Sequence, residues 1–327
     1  MTESTNADAT NIAETAERLD RRPWLARPIR RRAELSFEYF PPTSRTAWNQ
    51  LADTFERLAP FEPAYASVTY GAAGGSTRHA TQRTIETLAA AFDVEIAGHL
   101  TGVASTRSDI HRVVDRYAEV PIRRIVALRG DAPSAPDGPV PWGYASAEEL
   151  VAGLRARPDG STWDISVAGY PETHPKAASR TADLESLKRK VDAGADRVIT
   201  QFFFDNDDFF RFVDDARSVG IDVPIVPGVM PVHDFTKVAR FSERCGARIP
   251  DWMRDLFAPI DDPAIHRMVA ATVAAEQVRG LIEWGAQHLH VYTLNRAELT
   301  EATLRMLGYT ASTADIVDLE RGERQVG

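Results

Sequence analysis

Residues 164–201 read DISVAGYPETHPKAASRTADLESLKRKVDAGADRVITQ. The stretch opens on a short run of β-formers, Asp164–Ala168, and closes on a second, Arg197–Gln201. Between them, Ala178–Ala193 spaces Leu184, Leu187 and Val191 as on one face of a helix. A strand, a helix and a strand of these lengths make a βαβ unit, and its two strands must run parallel.

The same unit recurs on either side. Further strands are predicted at Leu35–Tyr39, Ala64–Tyr70, Glu95–Leu100, Arg123–Leu128, Val223–Pro227 and His288–Thr293. Helical patterns lie near Arg45–Leu58, Thr77–Phe92, Ser105–Glu119, Ser146–Arg155, Asp207–Val219 and His233–Cys245, with more near Asp251–Phe257, Pro263–Trp284 and Arg296–Leu307. About eight βα units predict an α/β fold of the (β/α)8 barrel type in a single domain. An open doubly wound sheet is the competitor. It calls for a G-x-G-x-x-G turn after a strand, and the glycine-rich segment Tyr70–Thr77 has another spacing. The expected organisation is a weakly ordered extension over 1–30, a catalytic barrel over 31–312 and a tail over 313–327. The Pro- and Gly-rich loop Ala132–Gly143 is a candidate flap.

Composition narrows the classes. A chain of 327 residues suits one barrel, and 43% hydrophobic with 26% charged residues is ordinary for a globular protein. The net charge of −9 argues against nucleic acid as a partner. The single cysteine, Cys245, excludes an intrachain disulfide and fits a reducing cytoplasm; its plain reading is a small core residue on a helix. No apolar run reaches the ~18 residues of a membrane span. The polar, acidic Met1–Asp20 lacks the apolar segment of a signal peptide. The expected partner is a small molecule, with neither nucleic acid nor membrane; a homo-oligomer is compatible with the sequence.

Polar residues gather where the predicted strands end, which in such a barrel is the face that carries chemistry. They are Glu38, Thr69 and Tyr70, His99 and Thr101, Arg129-Gly130-Asp131, Tyr170 with Glu172 and His174, Gln201, and Tyr292–Arg296. Glu38 sits among aromatics and prolines in Ser36–Pro42, where desolvation makes a carboxyl group a usable acid near neutrality; a Glu paired to a barrel Arg or Lys is the alternative. Arg129 can hold a phosphate or carboxylate bidentately, or close a loop salt bridge. Gly130 lets a flat ligand approach the backbone. His99 and His174 lack a third ligand at metal spacing, so no metal is expected. Asp183, Arg189 and Lys190 read, on pattern alone, as a solvated helix face. The aromatics Phe202–Phe204 and Phe235 suit either core filling or the face of a heterocycle.

From Glu34 to Leu307 the chain resembles the bacterial methylenetetrahydrofolate reductase family. The resemblance is carried by Ser36–Pro42, Ser67–Gly71 with Gly75–Arg78, His99-Leu100-Thr101, Ala127–Pro133, Ala168–Pro175, Leu187–Ala195, Thr200–Asp205, Pro224–Pro231, Arg248–Trp252 and Tyr292–Arg296. It implies a (β/α)8 barrel that binds FAD at the strand ends and reduces 5,10-methylenetetrahydrofolate to 5-methyltetrahydrofolate with NADH or NADPH, in ping-pong fashion. By resemblance Glu38 and Asp131 are the catalytic carboxylates, Glu38 being the acid that opens the methylene bridge. Thr69, His99, Arg129, Gly130, Asp131, Tyr144, Ala145, Tyr170, His174, Asp183, Arg189 and Lys190 match positions that hold FAD. Glu38, Gln201, Phe235, Leu294 and Arg296 match positions that touch folate or nicotinamide. The chain departs from the pattern at Gly102, where many members have Cys, and at Ser186, where Asn is common. Ending near residue 327, it is expected to lack the large regulatory domain of eukaryotic members. Two rivals remain at this point: the same enzyme running in the oxidative direction, and a folate-binding barrel without redox chemistry.

Overall fold

The computed structural model describes residues 32–70, 76–120, 122–131 and 140–312. The expected N-terminal extension, the C-terminal tail and most of the candidate flap lie outside the described residues, as does the glycine-rich 71–75. Among the described residues, eight parallel strands close into a barrel in chain order. They are β1 Glu34–Tyr39, β2 Tyr65–Val68, β3 Ile96–Thr101, β4 Arg124–Leu128, β5 Asp164–Gly169, β6 Arg197–Phe202, β7 Ile225–Val229 and β8 His288–Tyr292. The helices are α1 Arg45–Leu58, α2 Ser76–Ala91, α3 Arg107–Glu119, α4 Ala147–Arg155, α5 Arg180–Asp192, α6 Asn206–Ser218, α7 Phe235–Cys245, α8 Asp251–Phe257, α9 Pro263–Trp284 and α10 Glu298–Met306. The predicted strands and helices all form, with ends moved by one or two residues. β2 and β7 differ most: β2 ends at Val68 rather than Tyr70, and β7 runs Ile225–Val229 rather than Val223–Pro227. Thr69 and Tyr70 therefore stand beyond their strand, at the barrel mouth.

Side chains alternate across a strand, and here the alternation separates two environments. Leu35, Phe37 and Tyr39 of β1, Ile125 and Ala127 of β4, and Leu289 and Val291 of β8 point outward into the main core beneath the helices. The opposite set, Ser36 and Glu38 of β1 with His288, His290 and Tyr292 of β8, faces the barrel interior. Only a small apolar plug of Val126, Ile199 and Val226, with Leu128 against it, fills the centre. Polar groups occupy much of the remaining interior, so the barrel axis is a hydrogen-bonded column rather than a uniformly apolar one.

Helix starts are set by side-chain oxygens. Ser44, Ser146 and Ser179 cap α1, α4 and α5, each accepting from a backbone N–H of the first turn. Thr106 and Asp109 form a reciprocal capping box on α3. A separate apolar cluster, including Phe202, Met230, Met253 and Phe257, packs α7–α9 over the rim beside β6 and β7. Among the described residues no helix is long and apolar enough to cross a membrane.

The pairing of β6 with β7 shifts register between Ile199 and Phe202. Across this irregularity Gly228 N donates to Thr200 Oγ1 (2.9 Å), and Tyr292 Oη donates to the Thr200 carbonyl (2.7 Å). A Cβ at Gly228 falls 2.3 Å from Thr200 O and 2.6 Å from Tyr292 Cε2. Gly228→Ala therefore forces backbone to move in the barrel wall. We expect a loss of about 1–3 kcal/mol, read as a lower denaturation midpoint. An unchanged midpoint would show that the wall yields there without strain.

Candidate functional site

At the C-terminal ends of the strands, Glu38, Thr69, Tyr70, His99, Gln201 and Tyr292 line one cavity together with Phe40, Leu128, Tyr170, Met230, Phe241 and Leu294. A second, longer groove opens from it, the two sharing Tyr70, Leu128, Ala168 and Tyr170. Arg129, Gly130, Asp131, Ala145, His174, Lys176, Asp183, Arg189 and Lys190 line this groove. The mouth is thus a compact, largely apolar well, and a strip rich in cations leads out of it.

Glu38 occupies the floor of the well. Its Oε2 lies 3.4 Å from His99 Nε2 and 3.5 Å from His290 Nε2, and its side chain is 11% exposed. Burial raises its pKa above the ordinary carboxyl range, against a smaller lowering influence from His99. Burial equally holds both imidazoles down: His290 falls to about 3, and His99 is lowered despite the attraction of Glu38. Two neutral rings therefore flank a carboxyl group that keeps its proton to unusually high pH. The alternative of a Glu paired to a barrel Arg or Lys is not what forms; its partners are histidines. Beneath it, Ser36 Oγ lies 2.8 Å from His290 Nδ1 and 2.9 Å from His288 Nε2.

Asp131 is different. It is exposed, binds Lys176 Nζ at 2.6 Å and lies 3.7 Å from Arg129. The Lys176 hydrogen bond leads the causes that lower its pKa. The two carboxyl groups face the same end of the barrel with pKa values pushed in opposite directions, Glu38 up by burial and Asp131 down by Lys176.

The groove reverses the surface reading of α5. Lys190 turns its ammonium inward onto the Ala168 carbonyl (2.5 Å), and burial lowers its pKa to about 8. Asp183 accepts from the His174 backbone N–H (2.8 Å), and the His174 ring packs edge-on to Tyr170 at 4.5 Å. Arg189 stays exposed on Glu148. Periodicity could not reveal this, because an inward lysine and an outward one share the same spacing. Gly130 has φ +79°, and a Cβ there would meet Val103 and Thr101 side chains at 2.5 and 2.9 Å. Its glycine is explained by backbone conformation and packing, with no ligand needed.

Several expected residues stand elsewhere. Phe235 does not line the well; it stacks on Phe257 at 5.2 Å. The rim aromatic is Phe241, stacked on Phe202 at 5.5 Å. Phe241 has a helical core spacing that gives no functional signal. The Tyr144 side chain turns away into α3, with its hydroxyl 2.9 Å from His111 Nε2 and its ring under Arg107. Arg296 is exposed outside the well. Glu172 accepts from the Arg248 backbone at 2.8 Å, and burial raises its pKa to about 7. Cys245 is half-buried at the end of α7. Ser36, His288 and His290 were not singled out from sequence. The signal was present, since His288, His290 and Tyr292 share one face of β8 by alternation.

Comparison with known proteins places the chain. The sequence profile of the methylenetetrahydrofolate reductase family matches residues 25–308. The 5,10-methylenetetrahydrofolate reductase of Pectobacterium carotovorum is 43% identical over 284 residues, covering 86% of this chain and 93% of that protein. That of Escherichia coli K12 is 43% identical over 275 residues, covering 84% and 90%. Methylenetetrahydrofolate reductase (NADH) 1 of Zea mays is 35% identical, with 85% of this chain matching 48% of the plant protein. Among solved structures, an uncharacterised Clostridium thermocellum protein that binds two copies of 5-methyltetrahydrofolate shares the fold. Its TM-score is 0.56 at 17% identity, covering 85% of this chain and 94% of that one.

The raised pKa of Glu38 has a consequence for stability. The folded state holds the Glu38 proton more tightly than the unfolded chain, so stability falls as pH rises from the unfolded carboxyl value through the folded one, then levels off. Glu38→Gln removes this penalty. The variant should be more stable than wild type above that window and should lose the advantage below it, as denaturant unfolding at pH 8 and pH 4 will show. An equal difference at both pH values would mean that Glu38 is not desolvated.

Proposed function

The chain belongs to the methylenetetrahydrofolate reductase family and is a reductase of methylenetetrahydrofolate, and we propose that it works with FAD held at the strand ends and with NADH or NADPH as the second substrate. The observation that carries this reading is the buried Glu38, its pKa raised by desolvation, at the floor of a well that opens into a cation-lined groove.

The residues present fit a dinucleotide flavin. Arg129, Arg189 and Lys190 offer cations for a pyrophosphate. Burial, with Arg189 beside it, lowers the Lys190 pKa to about 8, a destabilisation of its charge that an anion would relieve. Asp183, His174 and Ala145 supply polar and backbone groups along the groove, Tyr170 stands where the groove meets the well, and Thr69 and His99 line the well itself. His99 Nε2 is buried and makes no hydrogen bond to the protein, so it is free to serve a ligand. When bound, the flavin supplies the two-electron hydride chemistry that no side chain here can.

The chain's own residues do the rest. Phe241, Phe202, Met230 and Leu294 make a flat apolar slot for one heterocycle at a time. Gln201 offers an amide to its polar edge. One slot serving nicotinamide and folate in turn gives ping-pong order. Glu38 holds its proton where a folate nitrogen must be protonated for the methylene bridge to open. Asp131, kept anionic by Lys176, favours positive charge developing on the pterin side.

Two outcomes test this. Glu38→Gln keeps shape and hydrogen-bonding reach but cannot donate an acidic proton. It should leave flavin reduction by the nicotinamide nearly intact and slow flavin reoxidation by methylenetetrahydrofolate at least ~100-fold, followed by stopped-flow absorbance. Equal slowing of both halves would make Glu38 a structural residue. Separately, a bound phosphate should raise the Lys190 pKa above its resting value of about 8. FAD affinity should therefore be constant below pH 8 and fall as pH rises beyond it. Lys190→Met should bind more weakly and lose that pH dependence; titration of the apoprotein by flavin fluorescence measures both.

A further inference from the structure

We propose that protons reach Glu38 from the opposite end of the barrel, through His288, Ser36 and His290. The inference rests on the reading of Glu38 as the folate acid and adds the route by which that acid is recharged.

Two hydrogen bonds and one longer contact of 3.5 Å link the route in the structure. His288 borders a pocket at the N-terminal face, beside Arg32, Glu34, Arg197, Pro224 and Gln287. Its Nδ1 lies 3.9 Å from Glu34 Oε2, and its Nε2 lies 2.9 Å from Ser36 Oγ. Ser36 Oγ is 2.8 Å from His290 Nδ1, and His290 Nε2 is 3.5 Å from Glu38 Oε2. Ser36 is fully buried and His290 is 1% exposed, while His288 keeps 14% of its side chain in solvent. The column spans four residue steps of β1, roughly 13 Å, and passes the apolar plug along the β1–β8 seam.

The chemistry calls for such a route. Reducing a methylene to a methyl with one hydride consumes one proton per turnover, and Glu38 delivers it. Its carboxyl group is buried even with the well open, and a heterocycle seated above it shuts out the remaining water. The floor of the barrel stays in contact with solvent at every stage.

Each ring must hold one N–H and one lone pair to relay. Burial, helped by His290 and by the Arg197 and Arg124 guanidiniums, lowers the His288 pKa to about 3, and burial lowers His290 likewise. The Tyr65 ring stands edge-on to His288 at 5.6 Å, and Glu34 is the acid nearest to it. Both rings are therefore neutral at pH 7. In one passage His288 Nδ1 takes a proton from solvent and its Nε2–H passes to Ser36 Oγ. The Ser36 hydroxyl proton passes to His290 Nδ1, and the His290 Nε2–H passes to the Glu38 carboxylate. One N–H or O–H bond breaks for each that forms, and no charge is left in the column. Rotation of the Ser36 hydroxyl and exchange of the two ring tautomers reset it.

Two measurements test the path. In 15N-histidine-labelled protein without ligands, both rings should be neutral and protonated at Nε2 at pH 7, with His290 accepting at Nδ1. If His290 instead carries its proton at Nδ1, both rings donate into Ser36, whose hydroxyl then turns to the Leu289 carbonyl 3.4 Å away, and the path is broken. In the holoenzyme, His288→Ala should slow flavin reoxidation by methylenetetrahydrofolate by roughly tenfold to a hundredfold, leave flavin reduction unchanged, and recover rate on adding imidazole. Ser36→Ala removes a single oxygen from the buried column. It should show the same loss without rescue. Wild-type rates in both variants, or a slow His288→Ala that imidazole does not rescue, overturn the proposal. Glu38→Gln measured beside them separates the two readings: if it too is fast, the assignment of Glu38 has failed and not merely its supply.

Discussion

The parallel pairing of β1 with β8 is the contact on which the rest depends. It joins segments about 250 residues apart and sets Glu34 beside His288, Ser36 beside His290 and Glu38 beside Tyr292. Without that closure β1 is an edge strand, Glu38 faces water and its pKa has no reason to move. With it, the inward faces of the first and last strands form a single polar seam. Closing so long a loop carries an entropic cost that grows only slowly with length. The outward faces of the same strands offset it by burying Leu35, Phe37, Leu289 and Val291 in the main core.

The seam sets two demands against each other. A barrel interior gains stability from apolar filling, yet here serines, histidines and a glutamic acid occupy positions that Val or Ile could fill. Buried polar groups cost stability unless they find partners. Ser36 bridges two imidazoles, Tyr292 satisfies a strand carbonyl and Gly228 donates to Thr200, so much of that cost is met. Others are less well met: His99 Nε2 lies 3.4 Å from Glu38 without a hydrogen bond, and the Tyr65 and Ser67 hydroxyls are buried without partners. Polar groups left short of partners at a cavity floor are groups prepared for a ligand.

The fold was legible because the strands are short and β-rich and most helices carry an apolar stripe. The moved ends have local causes: Thr69 and Tyr70 leave β2 to form the rim, and β7 shifts along β6 at an irregular register. Much of the well was legible too, since Glu38, Thr69, His99 and Gln201 all fall at strand ends. Lys190 was not, because the direction of a lysine on a helix depends on what the helix packs against. Phe241 was not, because a rim aromatic and a core aromatic share one spacing. Phe235 and Arg296 stand near the expected places but outside the well, as residues one helical turn or one loop away from a cavity do.

By itself the sequence determined the alternation that makes a parallel barrel, and the chemical types brought to its mouth. Period-two alternation and helical periodicity are local and can be read along the chain. The tertiary structure alone decided protonation. A glutamic acid titrates according to the water and charges around it, and those are set by β3 and β8, which are remote from β1 in sequence. The same residue letter gives a desolvated acid with a raised pKa at position 38 and, at the partly exposed positions 148 and 301, salt-bridge partners for Arg189, Arg57 and Arg305, because only closure of the barrel removes the solvent from one and leaves it at the others.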